Sequence, residues 1–197
     1  MAQEPRGESV EVAKCLTNDL LVPAHAEIVL EGWCDLDETR WEGPFGDHYG
    51  YYSLQHDYPV FRPQHIYHRK GAIFPATVVG KPRQEDFFLG DYLQELLLPL
   101  IPVVMPAVKD LWSYGETGYH SLAAAVLTER YGRESMTTCF RILGEGQLAL
   151  TKFLLGVDKK IDLLNFKAVL THVLERADFR RDLFVFSDIA MDTLDYT

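Results

Sequence analysis

The sequence has no long uninterrupted apolar stretch, few cysteines and a shortage of positive charge, and each lack narrows what it can be. Its longest apolar run, Leu96 to Val108, is broken by Pro99, Pro102 and Pro106. Proline removes an amide donor and clashes with the preceding turn, so no membrane span is expected. The three cysteines, Cys15, Cys34 and Cys139, are odd in number and far apart. That pattern argues against a disulfide framework or a cysteine zinc site, and reduced core or pocket thiols in the cytoplasm are expected. Lys and Arg total 19 against 29 Asp and Glu, for a net charge of −10. No basic cluster is available to meet a phosphate backbone, so nucleic acid is not an expected partner. The residues after Met1 include no apolar segment of the kind a secretory signal needs.

What is present reads as a globular protein. Hydrophobic residues make up 47% of the 197 and charged residues 24%, enough for one large domain or two small ones with a buried core. Residues 1–9 are polar and read as a lead-in. Alternation and β-branched content predict strands over 10–16, 27–33, 60–68 and 73–79, with Pro63 marking an edge or bulge. Several short strands separated by turns predict a barrel or sandwich element.

From residue 84 the period changes. Phe88, Leu89, Tyr92, Leu93, Leu96 and Leu97 recur at helical spacing and predict a helix over 85–98 that Pro99 ends or kinks. Strands are expected at 108–114, 121–128, 151–158 and 183–186, and helices at 135–143 and 165–176. The second helix should present Phe166, Val169, Leu170, Val173 and Leu174 on one face. The expected fold class is α+β: a β-rich front over 1–83, a linking helix over 84–108 and a small α/β domain over 109–197.

The most informative stretch is Trp41-Glu42-Gly43-Pro44-Phe45-Gly46-Asp47-His48-Tyr49-Gly50-Tyr51-Tyr52. Gly43 and Gly46 permit backbone angles other residues avoid, and Pro44 fixes one torsion, so the loop should be shaped. Two carboxylates at its ends, Glu42 and Asp47, suit general acid/base work if burial keeps one protonated while the other stays ionised. The same residues also suit a solvated turn. His48 fits either a pocket wall or an ordinary hydrogen-bonding role. No metal set is expected: His25-Ala-Glu27 is followed by no Pro-Cys-x-x-Cys, and His65 and His68 fall on opposite faces of a predicted strand.

This loop resembles the signature loop of the UbiD decarboxylases, which use prenylated FMN. Further matches lie at Glu11 to Leu20, Val22 to Gly32, His68 to Pro82, Thr151 to Phe153 and Leu194-Asp195. The resemblance implies a split β-barrel portion, flavin-reductase-like, joined by a helix to a small α/β domain. It implies non-oxidative decarboxylation, open to reversal, of an aromatic acid (hydroxybenzoate- or dihydroxynaphthoate-like) or an unsaturated carboxylic acid. Asp47 takes the proton-donor position and Glu42 that of its partner in an Arg-Glu-acid network, with His48 and Phe88 as substrate contacts. Asp at 47 is similar to the phenolic-acid members, and parts of the second domain to quinone-pathway members.

The resemblance also implies a divalent metal such as Mn, with K, at the flavin phosphate. The Asn, His and Glu that hold this metal, the network Arg and a flavin-contacting Lys have no match here. The chain is therefore expected to be part of a longer enzyme, a complementing UbiD subunit or a homo-oligomer, with a flavin prenyltransferase supplying the cofactor. A scaffold subunit that keeps the fold without binding flavin is the alternative.

Overall fold

The computed structural model describes residues 9–195, so all but the last residue of the expected lead-in lies outside the described residues. The chain forms two compact units. One contains residues up to Phe45 together with Ser53–Thr77, and the other contains Gly46–Tyr52 and the chain from Val78 onward. The linking helix therefore belongs to the second unit, and so does the short loop that carries Asp47.

The first unit is built from two antiparallel ribbons. Strand β1 (Val12–Lys14) pairs with β2 (Leu21–Pro23), and the long β3 (Ile28–Glu42) pairs with β4 (His56–His68). Strand β3 runs through to Glu42, further than expected, because Thr39–Glu42 re-pair with His56–Pro59 after an irregularity that loops out residues 36–38. A second irregularity sets Gly32 opposite Pro63 and leaves Gln64 unpaired, so the proline sits at a bulge, where a missing amide donor is tolerated. Buried Glu31 joins the two ribbons: its carboxylate accepts from the Leu16 and Thr17 amides, each at 2.9 Å, and from the Thr17 hydroxyl. No strand forms over 73–79. That run is β-branched but finds no partner strand, and pairing rather than propensity makes a strand.

In the second unit, helix α1 (Glu85–Leu97) starts with Glu85 and Asp86 in its first turn, where carboxylates complement the helix dipole. Pro99 does not stop the run. A single 3₁₀ turn (Leu98–Leu100) and the short α2 (Ile101–Val104) follow directly, with Pro99 and Pro102 at first-turn positions that need no amide donor. The resulting helical run, Glu85–Val104, is long and apolar enough by composition to cross a membrane. Its polar contacts join it to this unit: Gln94 exchanges hydrogen bonds with the Ser113 amide and carbonyl, and Tyr119 donates to the Phe87 carbonyl and to Asp91. The buried side chain of α1 is Phe87. The apolar stripe of Phe88, Leu89, Tyr92, Leu93, Leu96 and Leu97 is exposed.

A three-stranded sheet follows, in the order β5 (Val108–Ser113), β6 (Leu122–Leu127), β7 (Phe153–Val157). Strands β5 and β6 are antiparallel, while β6 and β7 are parallel and joined through α3 (Glu134–Ile142). Strand β6 is apolar throughout, as befits a strand covered on both faces. Alternate residues feed two cores. Ala124 and Val126 join Trp112, Tyr114, Val157 and Val169 on one side, and Ala125 and Leu127 join Met105, Leu111 and Ile142 on the other.

Helix α4 (Phe166–Arg176) begins at Asn165, whose side chain accepts from the Ala168 amide. It covers the first core with Phe166, Val169 and Val173. Leu170 and Leu174, expected on the same face, lean to solvent, and no strand forms over 183–186. Cys15 is buried and Cys139 partly so, but Cys34 is exposed on β3 and is not the core or pocket thiol expected.

The bulge at Gly32 gives a direct test. A Cβ there would lie 2.1 Å from the backbone oxygen of Arg62, so Gly32→Ala should lower stability by about 1–3 kcal/mol. At Gly132 a Cβ meets nothing within 4 Å, and Gly132→Ala should stay within about 0.5 kcal/mol of the parent. Denaturant unfolding of both variants checks the pair.

Candidate active site

The loop Gly46–Tyr52 is closed by a bridge between Gly46 and Tyr52 and by an Asp47 amide bond to the Tyr51 carbonyl. Asp47 is only 3% exposed. One of its oxygens accepts from the Tyr49 amide at 2.7 Å, while Oδ2 is buried with no partner among the described residues. An unpartnered buried oxygen is costly, so such a group calls for a chemical explanation. Glu42, at the end of β3 in the other unit, is exposed.

Next to this loop lies a cavity of about 310 Å³, at the small end of the range for ligand pockets. His48, Lys81, Arg83, Asp86, Phe87 and Tyr119 are among its walls. The Arg83 guanidinium lies 4.1 Å from the centre of the Phe87 ring and donates to Glu116 at 2.6 Å. Asp86 presents a second buried oxygen without a partner among the described residues. Of the four residues singled out in the sequence, only His48 lines this cavity. Asp47 is buried off its wall, and Phe88 is 65% exposed on α1 while its neighbour Phe87 takes the wall position. Tyr119 stays un-ionised because burial pushes its phenol well above the ordinary value, with the Asp91 charge adding to the effect.

The end of the described chain docks against the same loop. Asp192 Oδ2 lies 2.5 Å from His120 Nδ1, 3.8 Å from His48 Nε2 and 3.4 Å from the Tyr49 hydroxyl, while Oδ1 accepts from the Leu194 amide at 2.9 Å. Tyr51 donates to the Leu194 carbonyl at 2.7 Å, and Lys152 pairs with Asp195 at 2.6 Å. Burial works to raise the Asp192 carboxyl, but the Leu194 amide, the His120 bond and the imidazole charges outweigh it and hold its pKa below the usual range. Burial also pushes the Tyr49 phenol up to about 12.

Sequence reasoning did not single out His120 or Asp192. They stand 72 residues apart in irregular segments, and no short-range spacing marks them as neighbours.

Comparisons with known proteins place these features in a family. Residues 2–82 match the 3-octaprenyl-4-hydroxybenzoate carboxy-lyase Rift-related domain, and residues 87–197 match the corresponding C-terminal domain. A Chlamydia pneumoniae protein named as a subunit of 4-hydroxybenzoate decarboxylase is 61% identical over 172 residues, which are 87% of this chain and 30% of that protein. An uncharacterized Archaeoglobus fulgidus protein is 41% identical over 98% of this chain and 40% of its own length. This chain thus spans well under half of these relatives.

Among solved structures, the UbiD-class enzyme HmfF of Pelotomaculum thermopropionicum, in complex with FMN, superposes with a TM-score of 0.72 at 26% identity. That match covers 96% of this chain and 42% of HmfF. The closed form of Sedimentibacter hydroxybenzoicus vanillic acid decarboxylase gives 0.77 at 26% identity, over 90% of this chain and 37% of that one.

A pH dependence follows from Asp192. A carboxylate whose folded pKa is depressed adds stability above its unfolded value, about 3.9, and loses that contribution as pH falls through the folded value. Protection of the Leu194 amide, its exchange measured against the unstructured rate at the same pH, should therefore be high at neutral pH and fall once pH drops below about 4. Asp192→Ala should lower that protection at neutral pH and remove its pH dependence. With both domain matches in family order, this chain belongs to the UbiD family of carboxy-lyases.

Proposed function

We propose that this chain carries the proton-donating part of a UbiD-type decarboxylase assembled from more sequence than it contains. The reading is carried by one observation: Asp47, within the Glu-Gly-Pro-Phe-Gly-Asp loop, is buried with one oxygen engaged and the other unpartnered. Decarboxylation leaves a carbon that must receive a proton. A carboxyl oxygen held in a shaped loop without a competing partner is suited to deliver it. Asp47 lies off the cavity wall, so delivery requires the loop to swing between Gly46 and Gly50, whose φ is +89°. The apolar wall supplied by Phe87 and Tyr119, beside the cationic Lys81 and Arg83, suits an aromatic acid. A hydroxybenzoate- or dihydroxynaphthoate-like substrate fits this reading, as does an unsaturated carboxylic acid.

The cofactor in this reading is prenylated FMN, which supplies the electron sink when bound. The residues by which the family holds the flavin phosphate and its metal have no match in this sequence, so this chain does not fit as the sole holder of the cofactor. We assign it the acid and part of the substrate wall. The first unit supports the need for more sequence. Its two-stranded ribbons leave Trp33, Leu36 and Trp41 exposed, and isolated two-stranded ribbons are marginal in water. A longer chain, a complementing UbiD subunit or a second copy would cover them. A flavin prenyltransferase working in the cytoplasm would supply the cofactor.

In the complete assembly loaded with prenylated FMN, Asp47→Asn should lower turnover by about 10²–10⁴-fold while the flavin absorbance of the purified enzyme is unchanged. Product formation and the visible spectrum read the two quantities separately. Normal decarboxylation by the variant would remove Asp47 from the proton-donor role. Absence of flavin and of turnover in the parent assembly would favour the scaffold alternative.

A further inference from the structure

The structure assigns a second task to the three side chains that meet at the end of the described chain: we propose that His48, His120 and Asp192 bind a divalent transition-metal ion, Zn²⁺ by preference. One ligand atom from each lies within 4.8 Å of the other two. Two imidazoles and a carboxylate form a borderline donor set that suits zinc, nickel or cobalt better than magnesium or calcium. Three protein ligands leave a fourth, water-accessible position, and the His48 and His120 side chains remain about a quarter exposed, at 25% and 24%.

Each ligand is held by its own local structure. His120 follows a turn in which Gly118 and Tyr119 both have positive φ, 78° and 64°, and its carbonyl accepts from the Lys152 amide. Asp192 is fixed by the Leu194 amide through Oδ1, which leaves Oδ2 directed at the two rings. His48 sits in the closed loop with its ring against Tyr49, 4.5 Å between centres. Fixing ligands by hydrogen bonds outside the coordination sphere is what raises metal affinity.

The distances describe a site closed by hydrogen bonding and ready for exchange with an ion. Tetrahedral zinc places neighbouring ligand atoms about 3.4 Å apart, given metal–ligand bonds of about 2.1 Å. His120 and Asp192, now 2.5 Å apart, would separate by roughly 1 Å on that account. His48, now 3.8 Å from Asp192, would draw in by about half that. The ion replaces a hydrogen bond with coordination and ties three separate segments together. One of them is the loop that carries Asp47, the residue before His48. Metal binding here does not depend on decarboxylation, since the ligands lie within one compact unit.

The test uses the full chain without flavin. Titration with Zn²⁺ by calorimetry, and with Co²⁺ followed through its visible absorption, should show one ion per chain in tetrahedral or five-coordinate geometry, with a raised melting temperature. His120→Ala should weaken binding about 100-fold or more. Because loss of His120 also loosens the tail, His48→Ala serves as a second variant, and the same loss of affinity is expected. His25→Ala, which alters a histidine elsewhere on the surface, should bind as the parent does. Failure of the intact chain to take up either ion would overturn the proposal, as would uptake undiminished in the His120 and His48 variants.

Discussion

Strand β6 can be covered on both faces because its centre is three alanines. Ala123, Ala124 and Ala125 are completely buried, and their small side chains let Trp112 and Val169 approach from one face while Ile142 and Met105 approach from the other. Larger residues at these positions would overpack one core or the other, at a cost of about 1–3 kcal/mol each. The strand also sets the start of the site. Immediately before it, the Gly118-Tyr119-His120 turn sends Tyr119 toward α1 and His120 toward Asp192. Packing of the sheet and geometry of the site therefore share one constraint.

How much of this was legible in the sequence depended on the range of the signal. The sheet strands, α3 and α4 followed from local periodicity. The change of period near residue 84 does not mark the division into compact units, which falls at Thr77/Val78, and the second unit also takes Gly46–Tyr52. What failed depended on partners. Residues 73–79 and 183–186 have strand-like composition, but no strand lies beside them. Pro99 is a helix breaker in isolation, yet here it occupies a first-turn position of the next helical segment. The stripe from Phe88 to Leu97 has core-like spacing and is exposed, because period alone does not say which face meets the rest of the fold. Glu42 and Asp47 were singled out from a contiguous loop. His120 and Asp192 were not, because the tail reaches His120 only after the chain has folded.

The docked tail also explains why the acid loop stays ordered. Gly46 and Gly50 give Gly46–Tyr52 conformational freedom that would oppose a single shape. Against this, Tyr49 and Tyr51 reach the tail through Asp192 and the Leu194 carbonyl. Asp192 in turn is held by its own turn, since the Asp195 amide donates to the Asp192 carbonyl. Aromatic side chains bring area and a polar tip at small entropic cost, which suits them to fasten a glycine-containing loop.

The unpartnered Asp47 oxygen bears on the choice between an enzyme part and a scaffold. Leaving a buried acceptor unsatisfied costs about 1–3 kcal/mol, and nothing in the packing of the second unit requires a carboxyl there. The Tyr49 amide could be satisfied equally by a serine hydroxyl, which favours this kind of turn and leaves no second buried oxygen. A subunit kept for assembly alone would gain stability by such a replacement. A subunit kept for proton transfer would keep that oxygen free. Under the proposed function, the free oxygen is accounted for by a loop that opens to substrate.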